Sequence, residues 1–165
     1  MKDLLDKLSS YNIFNNLLPG IVFVAFAEMF LGRSFVQENL VVGVFLYYFI
    51  GLVIGRIGSL VFEPLLKKAS FLKFSDYKDF VAASKTDAKL EVLSEANNMY
   101  RTFVALFATL LIARLYEAVE TVLPVLKQVS PFLAVIAVTA LFLISYRKQT
   151  SYITKRVEAN KEVNP

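Results

Sequence analysis

The stretch LVVGVFLYYFIGLVIGRIGSLVF, Leu40 to Phe62, decides the fold: Arg56 is its only charged residue. An α-helix rises about 1.5 Å per residue and needs roughly 20 apolar residues to cross a hydrocarbon core about 30 Å thick. This run is long enough. Three others flank it, Ile13–Leu31, Thr102–Leu123 and Pro131–Tyr146, each near or just under that length. The expectation is an all-α integral membrane protein with four transmembrane helices, at about 13–31, 40–62, 102–123 and 131–146, in one domain covering 1–165. Residues 1–12 carry Leu4, Leu5, Leu8 and Tyr11 at helical spacing between charges. They read as a short helix lying on the membrane surface.

Composition supports the same solvent. The chain is 56% hydrophobic with a mean hydropathy of +0.55, above the range of an ordinary soluble domain. It contains no Cys and no His. Thiolate nucleophiles, disulfides, the usual zinc sites and imidazole acid–base catalysis are thereby excluded. No carboxylate pair or nucleophile–base set stands out either, so the chain reads as a non-enzyme without a cofactor or metal. No cleavable leader is expected, because Asp3 and Asp6 lie among the first lysines.

Charge sets the orientation. Of 18 Lys and Arg, fourteen fall in residues 1–12, in the connection 63–101 and in the tail 147–165. The two remaining connections hold only Arg33 and Lys127, and Arg56 and Arg114 lie within helices. An excess of positive charge marks cytoplasmic loops, so both termini and the long connection are expected inside. Tyr11, Tyr100 and Tyr146 then fall at the inner interface and Tyr116 toward the outer one. The pI near 9.2 is read in the same way, with no direct nucleic-acid binding and a compatible attraction to acidic lipid headgroups.

Several local signals refine the layout. Asn12, Asn15 and Asn16 precede Pro19-Gly20, a membrane-entrance motif that suggests a bend or re-entrant start with amides satisfying freed backbone groups. Gly51, Gly55 and Gly58 share one helical face and allow close helix approach. That face serves packing inside the bundle or an oligomer interface, and both readings stand. Glu63-Pro64 is expected to close the second helix. In the connection, Phe71, Phe74 and Phe80, with Leu90 and Leu93 on a helical face, are candidates for docking a partner. Ser84 with Asp87 resembles a helix start, from which the third membrane helix is expected to begin as one rod well inside the cytoplasm. Ser130-Pro131 reads as the start of helix four, and the tail after Gln149 as polar and loose at its end.

Charges inside the membrane are costly, about 2.5–3.5 kcal/mol at its centre, so Glu28, Arg56 and Arg114 each need a reason. Glu28 lies near the outer end of the first helix. Arg56, 16 residues past Leu40, lies about 24 Å further in, and the two are too far apart in depth to pair. Arg114 is expected to pair with Glu28 or with Glu117 as structural glue, and Glu28→Gln to weaken assembly. Arg56 is expected to reach lipid headgroups or the glycine face.

The run SYNIFNNLLPG, Ser10 to Gly20, followed by four helices with a long inner connection, resembles the KwaA family, the membrane component of the Kiwa anti-phage defence system. The layout covers nearly the whole chain, whereas the detailed likeness is confined to that run. The resemblance implies a bacterial inner-membrane homo-oligomer, a tetramer being one size considered, that senses infection. It also implies a cytoplasmic effector partner of the KwaB type, with the lipid bilayer as the other partner. No catalytic motif comes with it. The alternative is a small four-helix transporter or an infection-triggered pore. A Glu in the first helix is similar to the small multidrug-resistance transporters, but Glu28 is not mid-helix and the long charged connection is foreign to their plan.

Overall fold

The computed structural model describes residues 13–163, and among them every regular element is helical. The expected surface helix over 1–12, with Asn12 and Tyr11, lies outside the described residues. A π turn, Ile13–Leu17, leads into α1, Leu18–Leu31. An extended segment then reaches α2, Leu40–Ile57. A second π turn, Gly58–Phe62, joins it to α3, Glu63–Lys68. Then come α4, Tyr77–Ser84, α5, Lys89–Val122, and α6, Val125–Val163.

Capping explains several of these limits. Asn39 starts α2, its side-chain oxygen accepting from the Val41 and Val42 amides at 2.9 and 3.2 Å. Gly32 ends α1 in the left-handed region, φ 64°, its amide donating to the Glu28 carbonyl at 3.1 Å.

Both π turns end two residues before a proline, Leu17 before Pro19 and Phe62 before Pro64. A proline ring clashes with the carbonyl four residues back, and the wider π turn makes room for it. The helix therefore continues where a stop was expected. Glu63-Pro64 does not close the second helix, which runs as one helical rod from Leu40 to Lys68 over 29 residues. In place of a re-entrant start, the chain is helical from Ile13 onward.

Two other start signals are overridden. Ser84 ends α4, its hydroxyl donating to the Val81 carbonyl, and Asp87, two residues before α5, accepts from the Lys89 amide at 2.9 Å. Helix α6 begins at Val125 directly after Pro124, so Pro131 lies inside it and Ser130 caps nothing. The Ser130 hydroxyl instead lies 2.6 Å from the Leu126 carbonyl, one turn back. The tail is not loose through its described length, because α6 continues to Val163.

Three helices are long and apolar enough to cross a membrane: Leu40–Lys68, Lys89–Val122 and Val125–Asn160. The helix Asn15–Leu31 is apolar but shorter. Helices α1, α2 and α5 meet around Ala27, Ile54, Ala105, Leu106 and Leu110. Helix α6 lies outside this core, with only 6% of its apolar window buried. It touches α2 through stacked Phe49 and Phe142 rings, 6.1 Å apart. Phe45 on α2 and Phe132 on α6 are each 72% exposed. So much contiguous apolar surface has no stable place in water, and a lipid solvent resolves it.

Candidate functional site

Polar side chains gather in two layers, one at each end of the apolar bundle. The first, the basic end, is organised by Glu63, whose carboxylate is buried. Its Oε1 accepts from Lys67 Nζ at 2.9 Å and its Oε2 from Arg101 Nη1 at 2.7 Å. Lys148 Nζ donates to the Ser59 carbonyl at 2.8 Å and to its hydroxyl at 2.7 Å. The Ser59 carbonyl is available for a reason. In a π turn it would receive the N–H five residues on, and that residue is Pro64, which has none. The lysine of α6 thus completes the backbone of the α2–α3 junction. Aromatic rings extend the layer. Lys67 Nζ lies 3.9 Å over the Phe74 ring, Lys148 Nζ lies 5.8 Å from Tyr152, and Tyr152 packs on Tyr77 of α4 at 6.0 Å.

Beside this hub lies a polar cavity of about 340 Å³. Asn15, Asn16, Tyr48, Arg56, Asn98, Arg101 and Thr102 supply its polar lining. Asn16 Nδ2 donates to the Tyr48 hydroxyl at 3.2 Å. The entrance amides and Arg56, far apart in the sequence, therefore share one site.

The opposite layer joins the α1–α2 loop to α5 and α6. Arg33 Nε donates to Glu117 Oε1 at 2.8 Å, and its Nη2 lies 3.6 Å from Glu120. Arg114 Nη1 meets Glu117 Oε2 at 3.2 Å, one turn along the same helix. Ser130 Oγ lies 2.9 Å from Glu120 and 2.7 Å from the Tyr116 hydroxyl. Glu28 is outside this network. It is exposed, has no ion pair among the described residues and lines neither the polar cavity nor the apolar groove by Phe23, Phe35 and Ile112. Of the two partners expected for Arg114, it meets Glu117 and not Glu28.

The glycine face is consumed inside the chain. A Cβ on Gly51 would fall on the Asn16 carbonyl, and one on Gly20 would fall on the Tyr47 carbonyl. Helices α1 and α2 cross backbone to backbone here, beside buried Pro19. Gly58 packs on Arg101 and Ala105 of α5, and Gly55 faces Thr102 more loosely. The glycines are not a free oligomer surface, since α1 and α5 already occupy it.

Of the expected docking residues, Phe71, Leu93 and Phe74 are well exposed, the last with the Lys67 ammonium over its ring, Phe80 is at the edge of exposure and Leu90 is partly covered. The sequence reading missed Ser59, Glu63, Arg101 and Lys148 as a group. One clue was present, since Glu63 and Lys67 are an i,i+4 pair at the end of an apolar run. Among the described residues, no group of three or more acidic, Cys or His side chains is placed to hold a metal ion. Comparison of the chain with family models, curated proteins and solved structures finds no match.

Proposed function

We propose that this chain is a membrane-embedded sensor and anchor that recruits a cytoplasmic effector, with the resemblance to KwaA placing it in anti-phage defence at a bacterial inner membrane. The chain would cross the bilayer four times, with the basic end and both termini inside. The spacing of the two polar layers favours this. Arg101 and Glu117 on α5 are 16 residues apart, about 24 Å, and Ser130 and Lys148 on α6 are 18 apart, about 27 Å. Both lengths fit a hydrocarbon core of about 30 Å. Helix α1 runs between the same layers, from Asn16 beside Tyr48 to the loop holding Arg33, so it would cross too despite its shorter apolar length.

The observation that carries recruitment is the length of α5. Its 34 residues extend about 51 Å, well beyond the core, in one unbroken rod. Its first three turns and the preceding segment present Phe71 (77% exposed) and Leu93 (63%) on the basic side. A rigid rod shared between lipid and cytoplasm is suited to transmitting a disturbance of one to a partner in the other. Copies would associate through a face other than the glycine seam, and α6 is the least covered helix.

Affinity purification from the native host membrane is expected to bring one cytosolic protein in fixed proportion. Phe71→Glu with Leu93→Glu should reduce its recovery at least tenfold while leaving membrane insertion and phage-independent growth unchanged. Undiminished recovery with both substitutions would remove the docking assignment. Proton-driven efflux or dye leakage from vesicles of the pure chain would favour the transporter or pore reading instead.

A further inference from the structure

We propose that the polar cavity at the basic end binds a phosphate-bearing anion, held by Arg56 and Arg101. Three cations, Lys67, Arg101 and Lys148, act on a single carboxylate, Glu63, and a fourth, Arg56, lines the cavity together with Arg101. Both Glu63 oxygens are already engaged, one by Lys67 and the other by Arg101. Arg56 has no ion pair among the described residues, and Arg101 Nε is buried without an acceptor. A guanidinium keeps its charge at any physiological pH, so proton loss does not relieve this excess. The opposite layer shows the contrast, with Arg33 and Arg114 matched by Glu117 and Glu120. Unmatched cations beside hydrocarbon are costly, and a bound anion offsets that cost.

The lining selects the kind of anion. Among the described residues no carboxylate lines the cavity, whereas Asn16 and Tyr48 add an amide and a hydroxyl beside the two guanidiniums. Guanidinium forks match the paired oxygens of phosphate, and the remaining oxygens find neutral donors. A volume of about 340 Å³ leaves room for a phosphate ester and not only a bare ion. The cavity shares Arg101 with the Glu63 hub at the end of the apolar slab, the level at which headgroup phosphates lie in a bilayer. The ligand chemistry is thus a phosphate oxyanion, carried by an anionic phospholipid or by a soluble phosphate. This inference does not depend on effector recruitment.

The test uses the full chain, purified in mild detergent and stripped of lipid. It is titrated separately with phosphatidylglycerol and with inorganic phosphate, counting bound copies by native mass spectrometry and following the thermal midpoint by circular dichroism. One saturable phosphatidylglycerol is expected, with affinity reduced at least tenfold by Arg56→Gln and about threefold by Tyr48→Phe. Lys127→Gln, a charge removed from the opposite end, should bind like the native chain. If millimolar inorganic phosphate raises the midpoint and displaces the lipid, a soluble phosphate suffices; if it does neither, the headgroup is the source. Equal retention of the lipid by the native chain and both cavity variants, or no retention of either probe by the native chain, would overturn the assignment. Arg56 has no ion pair among the described residues, and Tyr48→Phe keeps the ring, so folding and binding losses separate in the unliganded midpoints.

Discussion

Gly51→Ala is expected to destabilise the helix bundle by about 3 kcal/mol or more, although alanine is the better helix former. The added methyl would be driven into the Asn16 carbonyl, and Gly20→Ala into the Tyr47 carbonyl, where α1 and α2 cross. Neither obstacle is the movable end of a side chain. Relief requires the helices to separate, which also opens the contacts around buried Val24 and Ala27. Gly55→Ala is the internal control. Its methyl would meet only the Thr102 side chain, at 3.7 Å, an ordinary contact. Its stability should stay within about 1 kcal/mol of the native chain. Unfolding in mixed detergent–SDS micelles, followed by circular dichroism, orders the three variants. Equal midpoints for Gly51→Ala and Gly55→Ala would show that the crossing is not as close as described.

Glu63→Gln is the second large effect, a loss of roughly 3 kcal/mol by the same assay. The carboxylate is 8% exposed, and its loss strands Lys67 and Arg101 beside Lys148 with no anion between them. The partners are 41% and 24% exposed, so solvent recovers some of the cost, which places the figure at the lower end for a broken buried pair. Removing Arg101 as well should return part of the loss, because the stranded charge goes too. Glu28→Gln should change stability by less than about 0.5 kcal/mol, since the exposed carboxylate has no ion pair among the described residues. A larger loss from Glu28→Gln than from Glu63→Gln would contradict the assignment of the buried ion network to Glu63.

Comparison with the sequence reading shows which kinds of signal carry. Apolar length carried well: the run at Leu40 is a helix, and the apolar segments after Arg101 and after Pro124 lie in the other two long ones. Local pairs also carried, as with Arg114 and Glu117 three residues apart. What failed were punctuation and partnership at long range. Pro64 and Pro131 looked like boundaries, yet a π turn absorbs the first and Pro124 had already started α6 before the second. The glycine face was visible in the sequence, but whether α1, α5 or another copy filled it depended on how the helices cross. Glu63 and Lys148 lie 85 residues apart and passed for ordinary end charges. Their common hub arises only when α3 and α6 come together around Ser59 and the proline that follows it.

The arrangement in the bilayer is tested most directly by cysteine accessibility, because the chain has no native Cys to interfere. Single substitutions Lys7→Cys, Lys85→Cys, Glu158→Cys, Glu38→Cys and Lys127→Cys would be probed in intact cells with a membrane-impermeant maleimide, before and after permeabilisation. Four crossings with the basic end inside expose positions 38 and 127 at once and positions 7, 85 and 158 only after permeabilisation. Labelling of position 7 together with position 38 in intact cells would mean that α1 does not cross, and labelling of 85 and 158 on opposite sides would contradict the shared basic end altogether.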